Sequence, residues 1–129
     1  MKTNSLNVLL VDDVNIVLEK MKMFLSIVPS VNKVDTADTA DDAYLLLETN
    51  QPELVVLDVN MPGTSGIDML KKIRSSECPQ PVVVMLTNQK ERIFRETCLD
   101  LGADYYLDKS TDFLCIPEII REISAKRAA

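Results

Sequence analysis

Four short apolar runs in this chain each end on a residue able to do chemistry. Residues 7–11 lead into Asp12 and Asp13, 54–57 into Asp58, 82–86 into Thr87, and 105–108 into Lys109. Runs this short, rich in Val and Leu and without strict alternation, predict strands buried on both faces, as parallel strands covered by helices are. A fifth run, 33–37, alternates apolar and polar residues as a half-exposed edge strand does.

Between the runs the period becomes helical. Val14, Val17, Leu18, Met21, Leu25 and Val28 recur at helical spacing until Pro29-Ser30. Asp38 or Thr39 can cap a second helix carrying Ala40, Ala43, Tyr44 and Leu47, which ends near Asn50-Gln51-Pro52. Residues 58–66 read as a loop punctuated by Pro62, Gly63 and Gly66, followed by a helix with Ile67, Leu70 and Ile73. Cys78-Pro79-Gln80-Pro81 leads into the fourth strand. Ile93 or Phe94, Cys98 and Leu101 mark the fourth helix, with Gly102 as its cap. Ser110-Thr111-Asp112 read as turn residues, and Pro117 suits the first position of a last helix carrying Ile120 and Ile123.

Strand and helix thus alternate five times with short connections and no linker or repeat. The expected fold is α/β: a flavodoxin-like (βα)5, doubly wound five-stranded parallel sheet of order 2-1-3-4-5. In such a sheet the active crevice lies beyond the carboxyl ends of the strands, at the point where the winding reverses. Asp12-Asp13 and Asp58 flank that point, with Thr87 and Lys109 on the same edge.

Composition narrows the readings. The length of 129 residues suits one domain with a real core, and 47% hydrophobic with 26% charged residues is globular. A net charge of −6 argues against direct nucleic-acid binding and against docking on an anionic membrane. No apolar stretch approaches a membrane span, and Asp12-Asp13 interrupt the first one too early for a signal peptide. Cys78, Cys98 and Cys115 are scattered and form no C-x-x-C pair, as free thiols in a reducing cytoplasm would be. With no histidine, the chain has no Ser-His-Asp or Cys-His catalysis, no usual zinc site and no phosphohistidine of its own.

Three carboxylates brought into one cleft repel. At about 4 Å each pair costs roughly 4 kcal/mol at an effective dielectric of 20, so the cluster implies a cation. A hard divalent ion with oxygen ligands fits, and Mg2+ accepts a few carboxylates plus waters. Beside such an ion Asp58 is placed to attack phosphorus and form an aspartyl-phosphate. The Lys109 ammonium and the Thr87 hydroxyl can take the other phosphoryl oxygens, since phosphoryl transfer chiefly needs positioning and charge neutralisation.

At this point the chain resembles the receiver domain of two-component response regulators over essentially its whole length. The matching pieces are Val11-Asp12-Asp13, Asp58-Val59-Asn60-Met61-Pro62-Gly63 continuing to Gly66, Leu86-Thr87, and Gly102-Ala103-Asp104-Tyr105-Tyr106-Leu107-Asp108-Lys109. All four occur in order at the ends of strands one, three, four and five. The 2-1-3-4-5 order is in part inherited from this resemblance. The resemblance implies that Asp58 accepts a phosphoryl group from a phosphohistidine on a sensor histidine kinase or histidine phosphotransfer protein. It implies Mg2+ held by Asp13, Asp58 and the backbone carbonyl of Asn60, with Asp12 acting largely through water. It makes Thr87 and Lys109 the phosphoryl-binding pair, and Thr87 and Tyr106 the switch, Tyr106 being the aromatic that turns inward when the threonine moves. Tyr105 is only an edge-strand side chain. Asn60, Asn88 and Gln89 fall where relatives tune phosphate lifetime.

The charge of a phosphoryl group, roughly −1.5 to −2, would draw Thr87 and Lys109 and bias the surface of helix four, strand five and helix five for a downstream protein target. Two residues depart from the common pattern: Ser110 follows Lys109 where proline, often after a cis peptide, is frequent, and Asn88 follows Thr87 where a small residue is common.

The chain is expected to be a single receiver domain over 1–129 with no output domain, stand-alone as chemotaxis regulators are. It would be a cytoplasmic signalling switch, not an enzyme, with only self-phosphorylation from a phosphodonor and autodephosphorylation. Val14 to Leu18 would lie beside the docking site for a histidine-bearing bundle, Val17 and Leu18 serving the core. The alternative, a haloacid-dehalogenase-like aspartyl-phosphate phosphatase, places Asp-x-Asp after its first strand, and Asp12-Asp13-Val14 does not supply it. A flavin module would need a Ser/Thr/Gly-rich phosphate loop there, where this chain has acids.

Overall fold

A computed structural model describes residues 5–61, 63–77 and 79–128; Pro62 and Cys78, both noted above, lie outside the described residues. Strands β1 (Leu6–Val11), β2 (Val31–Ala37), β3 (Leu54–Leu57), β4 (Val82–Thr87) and β5 (Tyr105–Asp108) form one parallel sheet in the order β2-β1-β3-β4-β5. Helices α1 (Asn15–Ser26), α2 (Ala40–Asn50), α3 (Gly66–Ser75), α4 (Arg92–Asp100) and α5 (Ile116–Ala128) follow the strands in turn. A single 3-10 turn, Phe113–Cys115, precedes α5.

The pleat divides each apolar run between two cores, because successive side chains point to opposite faces. Leu6, Val8 and Leu10, with Leu54, Val56, Val84 and Leu86, meet Leu18, Met21 and Leu25 of α1 and Ile116, Ile119 and Ile120 of α5. Leu9, Val11, Val55, Leu57, Val83 and Met85 meet Ala43 of α2, Met69, Leu70 and Ile73 of α3 and Cys98 of α4. Each fully buried aliphatic side chain contributes about 1.5–3 kcal/mol, so neither face can turn to water. The strands are therefore fixed in place, and their carboxyl ends with them.

Element ends follow local chemistry. Thr39, not Asp38, caps α2, its hydroxyl accepting the Asp42 N–H at 3.2 Å. Ser65 caps α3 in the same way through the Asp68 N–H at 3.1 Å. Gly102 closes α4 at φ +105°: its N–H donates to the Leu99 carbonyl and that of Ala103 to the Cys98 carbonyl, the paired bonds of a Schellman end.

Some boundaries differ from the sequence reading, the first strand beginning one residue earlier, at Leu6, and α3 opening on Gly66 itself. Helix α1 stops at Ser26, and Val28 is buried from the turn beyond it, its N–H donating to the Leu25 carbonyl. Strand β2 starts at Val31 because Leu6 N–H already pairs with the Ser30 carbonyl at 2.8 Å. Pro117 is the second residue of α5, still within the first turn, where a missing N–H costs nothing. Among the described residues no helix is long and apolar enough to cross a membrane.

Candidate functional site

The carboxyl ends of β1 and β3 are adjacent in the sheet, so Asp12, Asp13 and Asp58 meet. One carboxylate oxygen from each lies within 4.8 Å of the others. Asp12 and Asp58 are only 3% and 7% exposed, while Asp13 faces solvent. The buried pair is held from both ends. Backbone N–H groups of Asp12 and Asp58 donate to the Ala37 and Val11 carbonyls, each at 3.2 Å. Their Oδ1 atoms accept the N–H of the residue two positions on, Val14 at 3.0 Å and Asn60 at 3.2 Å, in turns that aim the second oxygen at the crevice.

That second oxygen meets Lys109. Its ammonium donates to Asp58 Oδ2 at 3.0 Å and pairs with Asp12 Oδ2. Burial by itself would lower the lysine's pKa, but hydrogen bonds to Asp12 and Asp58 and attraction by both charges outweigh it and hold the pKa above its usual value. One ammonium offsets one of three carboxylates, so the cluster keeps a surplus of negative charge. The donor set is all oxygen, with one solvent-facing member, and this fits a hard divalent cation sharing its shell with water. Asp13, Val59, Asn60, Met61 and Ser65 line an open groove beside the acids, which puts Asn60 next to the same space.

Thr87 ends β4 on the other side and is 1% exposed. Its carbonyl accepts the Lys109 N–H at 2.9 Å, and its hydroxyl oxygen accepts the Gln89 N–H at 3.2 Å. The Gln89 carbonyl in turn accepts the Tyr106 hydroxyl at 2.6 Å. Gln89 backbone thus links the threonine hydroxyl to the half-buried phenol. Burial, reinforced by nearby negative groups, pushes the Tyr106 pKa up to about 12, so the phenol stays a donor. Tyr105 points elsewhere, to Glu122 Oε1 at 3.2 Å.

The two departures from the family pattern meet each other. Ser110 Oγ lies 3.4 Å from Asn88 Oδ1 and 2.8 Å from Asp108 Oδ1, and the Ser110 N–H donates to that same Asp108 oxygen at 2.8 Å. A hydroxyl has one proton, and the shorter contact to the carboxylate takes it. Lys90 Nζ reaches Asp108 Oδ2 at 3.5 Å, and Asp112 Oδ2 accepts the Asp108 N–H at 2.9 Å. Hydrogen bonds from Ser110, backbone first and hydroxyl second, hold the Asp108 carboxyl below the usual carboxylate range. Among the described residues there is no cis peptide bond, so the chain passes from Lys109 to Ser110 in trans.

The residues proposed for the metal, the phosphoryl group and the switch lie at or beside this edge. Asp12, Asp13, Asp58 and Lys109 are in one cluster, and Thr87 borders it through the Lys109 backbone. Asn60, Asn88, Gln89 and Tyr106 occupy the surrounding loops and strand. Val14 and Asn15 at the start of α1 are exposed, whereas Val17 is half-buried and Leu18 buried. Asp108 and Lys90 were not singled out, although Asp-x-Ser at 108–110 is a turn-forming pattern that could have indicated the first.

A model of the response regulator receiver domain matches residues 8–121. The chain is 33% identical over 106 residues to the nitrate/nitrite response regulator protein NarL of Escherichia coli K12, covering 81% of this chain and 48% of that protein. It is 36% identical over 93 residues to the alkaline phosphatase synthesis transcriptional regulatory protein PhoP of Bacillus subtilis, covering 72% and 35%. The chain spans about half the length of the curated relatives it matches, or less. Among solved structures it is similar to a LuxR-family two-component response regulator from Aurantimonas sp. SI85-9A1, with TM-score 0.83, 29% identity, and 95% and 87% of the two chains covered. The signal receiver domain of a DNA-binding response regulator from Colwellia psychrerythraea 34H shares the fold at TM-score 0.86 and 23% identity, covering 92% of this chain and 98% of that one.

Proposed function

The chain belongs to the response regulator receiver domain family, whose members act as two-component signalling switches, and from that premise we propose that Asp58 is its phosphoacceptor. One Asp58 carboxylate oxygen attacks the phosphorus of a phosphohistidine on a partner histidine kinase or phosphotransfer protein. The P–N bond breaks, the imidazole leaves and takes up a proton, and an acyl phosphate remains. Hydrolysis of that bond returns the carboxylate and inorganic phosphate.

Lys109 counters the charge of a phosphoryl oxygen. In the present state it is shared by Asp12 and Asp58. One lone pair of the Thr87 hydroxyl accepts the Gln89 N–H, and its proton is directed to a second phosphoryl oxygen. Asp13, Asp58 and the Asn60 carbonyl would hold Mg2+, with Asp12 acting largely through water. When bound, that ion supplies neutralisation of phosphoryl oxygen charge. Movement of Thr87 toward the new charge passes through Gln89 to Tyr106 and biases the α4–β5–α5 surface for a downstream protein. Asn60, Asn88 and Gln89 tune how long the phosphoryl group lasts. Residues 1–129 act as one receiver, in the cytoplasm, by protein contacts and not by binding nucleic acid or membrane. It turns over only its own phosphoryl group, and no observation favours the phosphatase alternative.

The observation that carries this reading is the Lys109 ammonium set between two buried carboxylates with a third, exposed one beside them. With acetyl phosphate and Mg2+, the intact mass is expected to gain one phosphoryl group, the gain to be lost on chelation, and Asp58→Asn to stay unlabelled. Labelling of that variant at the wild-type level contradicts the assignment.

A further inference from the structure

We infer that Gly66 is a positioning residue for phosphoryl transfer; the inference rests on Asp58 being the acceptor. Gly66 opens α3 and packs against the back of the phosphoacceptor's own peptide unit. Its N–H donates to the Val59 carbonyl at 2.8 Å. A Cβ on Gly66 would overlap the Asp58 carbonyl oxygen, and would lie 2.8 Å from the Asp58 carbonyl carbon and 3.0 Å from Val59 Cα. These are backbone atoms, with no side-chain end to swing aside. Gly66 is not in a left-handed conformation, so what requires glycine here is close approach alone.

Either the helix or the Asp58 peptide would have to yield to a side chain. Helix α3 is anchored by Met69, Leu70 and Ile73, at 0%, 0% and 5% exposed, and a packed core resists displacement. The segment just after the fixed end of β3 yields more easily than α3: Val59 and Met61 are buried, but Asn60 and Gly63 are exposed, and Ser65 turns the chain back through an exposed capping bond. The Asp58 peptide therefore moves, carrying its carboxylate away from Lys109. Clearing the overlap takes a shift on the order of 1 Å, and misplacement of that size costs about 10²-fold in rate.

The test compares wild type, Gly66→Ala and Ile73→Ala, the last weakening the far end of α3 without touching the Asp58 peptide. Labelling rates with acetyl phosphate and Mg2+, Mg2+ affinity by calorimetry and urea midpoints are measured, all in trimethylamine-N-oxide to favour the folded state. Expected are a roughly 10²-fold slower labelling and weaker Mg2+ binding in Gly66→Ala, with labelling of Ile73→Ala near the wild-type rate although its midpoint falls. Gly66→Ala labelled at the wild-type rate overturns the inference, because α3 has then yielded instead. An unfolded Gly66→Ala overturns it too, since the displacement is then not local. Equal slowing in Ile73→Ala would assign the effect to stability and overturn it as well. A wild type that takes no label on Asp58 sinks the acceptor assignment itself, an outcome distinct from the other three.

Discussion

On the β1–β3 side of the edge, Asp12 and Asp58 are almost fully buried, and each is tied by its backbone to the neighbouring strand and by Oδ1 to its own turn. On the β4–β5 side, every residue of β5 is half-buried, and the loops are joined through exposed Lys90 and Ser110 converging on Asp108, with Asn88 against Ser110. The first side has its charges fixed in a low-dielectric setting, where an electrostatic interaction is strong and an unpaired group is costly. The second is wet, and single exposed contacts there contribute at most about 1 kcal/mol. A receiver needs both kinds of construction: a rigid place for chemistry and a neighbouring surface that can change at low cost. Lys109 belongs to both, with its backbone on β4–β5 and its ammonium between the acids of β1 and β3.

Substitutions on the two sides should therefore differ in scale. The largest effect is expected at the joint. Lys109→Met leaves Asp12 and Asp58 buried without their cation, at a cost of about 3 kcal/mol in metal-free buffer, measured by urea unfolding. A loss below about 0.5 kcal/mol would show that the ion pair does not hold the two sides together. The same pair of proteins gives a pH signature. The folded pKa of Lys109 lies above its ordinary value of 10.5, so its contribution is complete below that pH and is lost as pH rises through the folded value. Wild-type stability should fall more steeply than that of Lys109→Met on this alkaline limb. Tyr106 titrates in both proteins and cancels in the difference.

Next in size is Asp13→Ala, which should weaken Mg2+ binding in a titration by at least about tenfold, or ~1.4 kcal/mol. Asp108→Ala, an acid on the other side of the same edge, should change it by less than about twofold. Equal losses would erase the distinction between the sides. The smallest effect is expected at Ser110. Ser110→Ala should leave the urea midpoint nearly unchanged, yet raise the Asp108 pKa toward the ordinary carboxylate range in a carboxyl-resonance titration, because it removes the hydroxyl bond but keeps the backbone one. An unmoved Asp108 would show that the serine hydroxyl does not engage it.

The same contrast explains what was legible in the sequence. The buried side was readable because its physics is periodic. Runs such as 54–57 bury alternate residues in two cores, and the chemistry starts where the run ends, so Asp12, Asp58, Thr87 and Lys109 could be placed on one edge from pattern and strand order. The turns that aim Oδ1 and the pairing of Lys109 with both carboxylates depend on distances between segments remote in sequence, which no local pattern encodes. The wet side was legible only as a departure from the family pattern at Asn88 and Ser110. That the two meet, and that Ser110 also engages Asp108, follows from the register that sets Thr87 beside Asp108 across β4 and β5. Gly66 was read as a loop punctuator, whereas its place against the Asp58 carbonyl arises from packing α3 under β3. The end of α1 was set two residues too far because the periodic stripe continues through Val28, while the backbone leaves the helix at Ile27 on its way to β2.

The central claim is that the buried acid on β3 carries the phosphoryl group. The direct measurement is peptide mapping of the chain after labelling with acetyl phosphate and Mg2+, with the acyl phosphate trapped by borohydride reduction. The account predicts one modified position, Asp58. Modification at Asp12 or Asp13, with Asp58 intact, would contradict it.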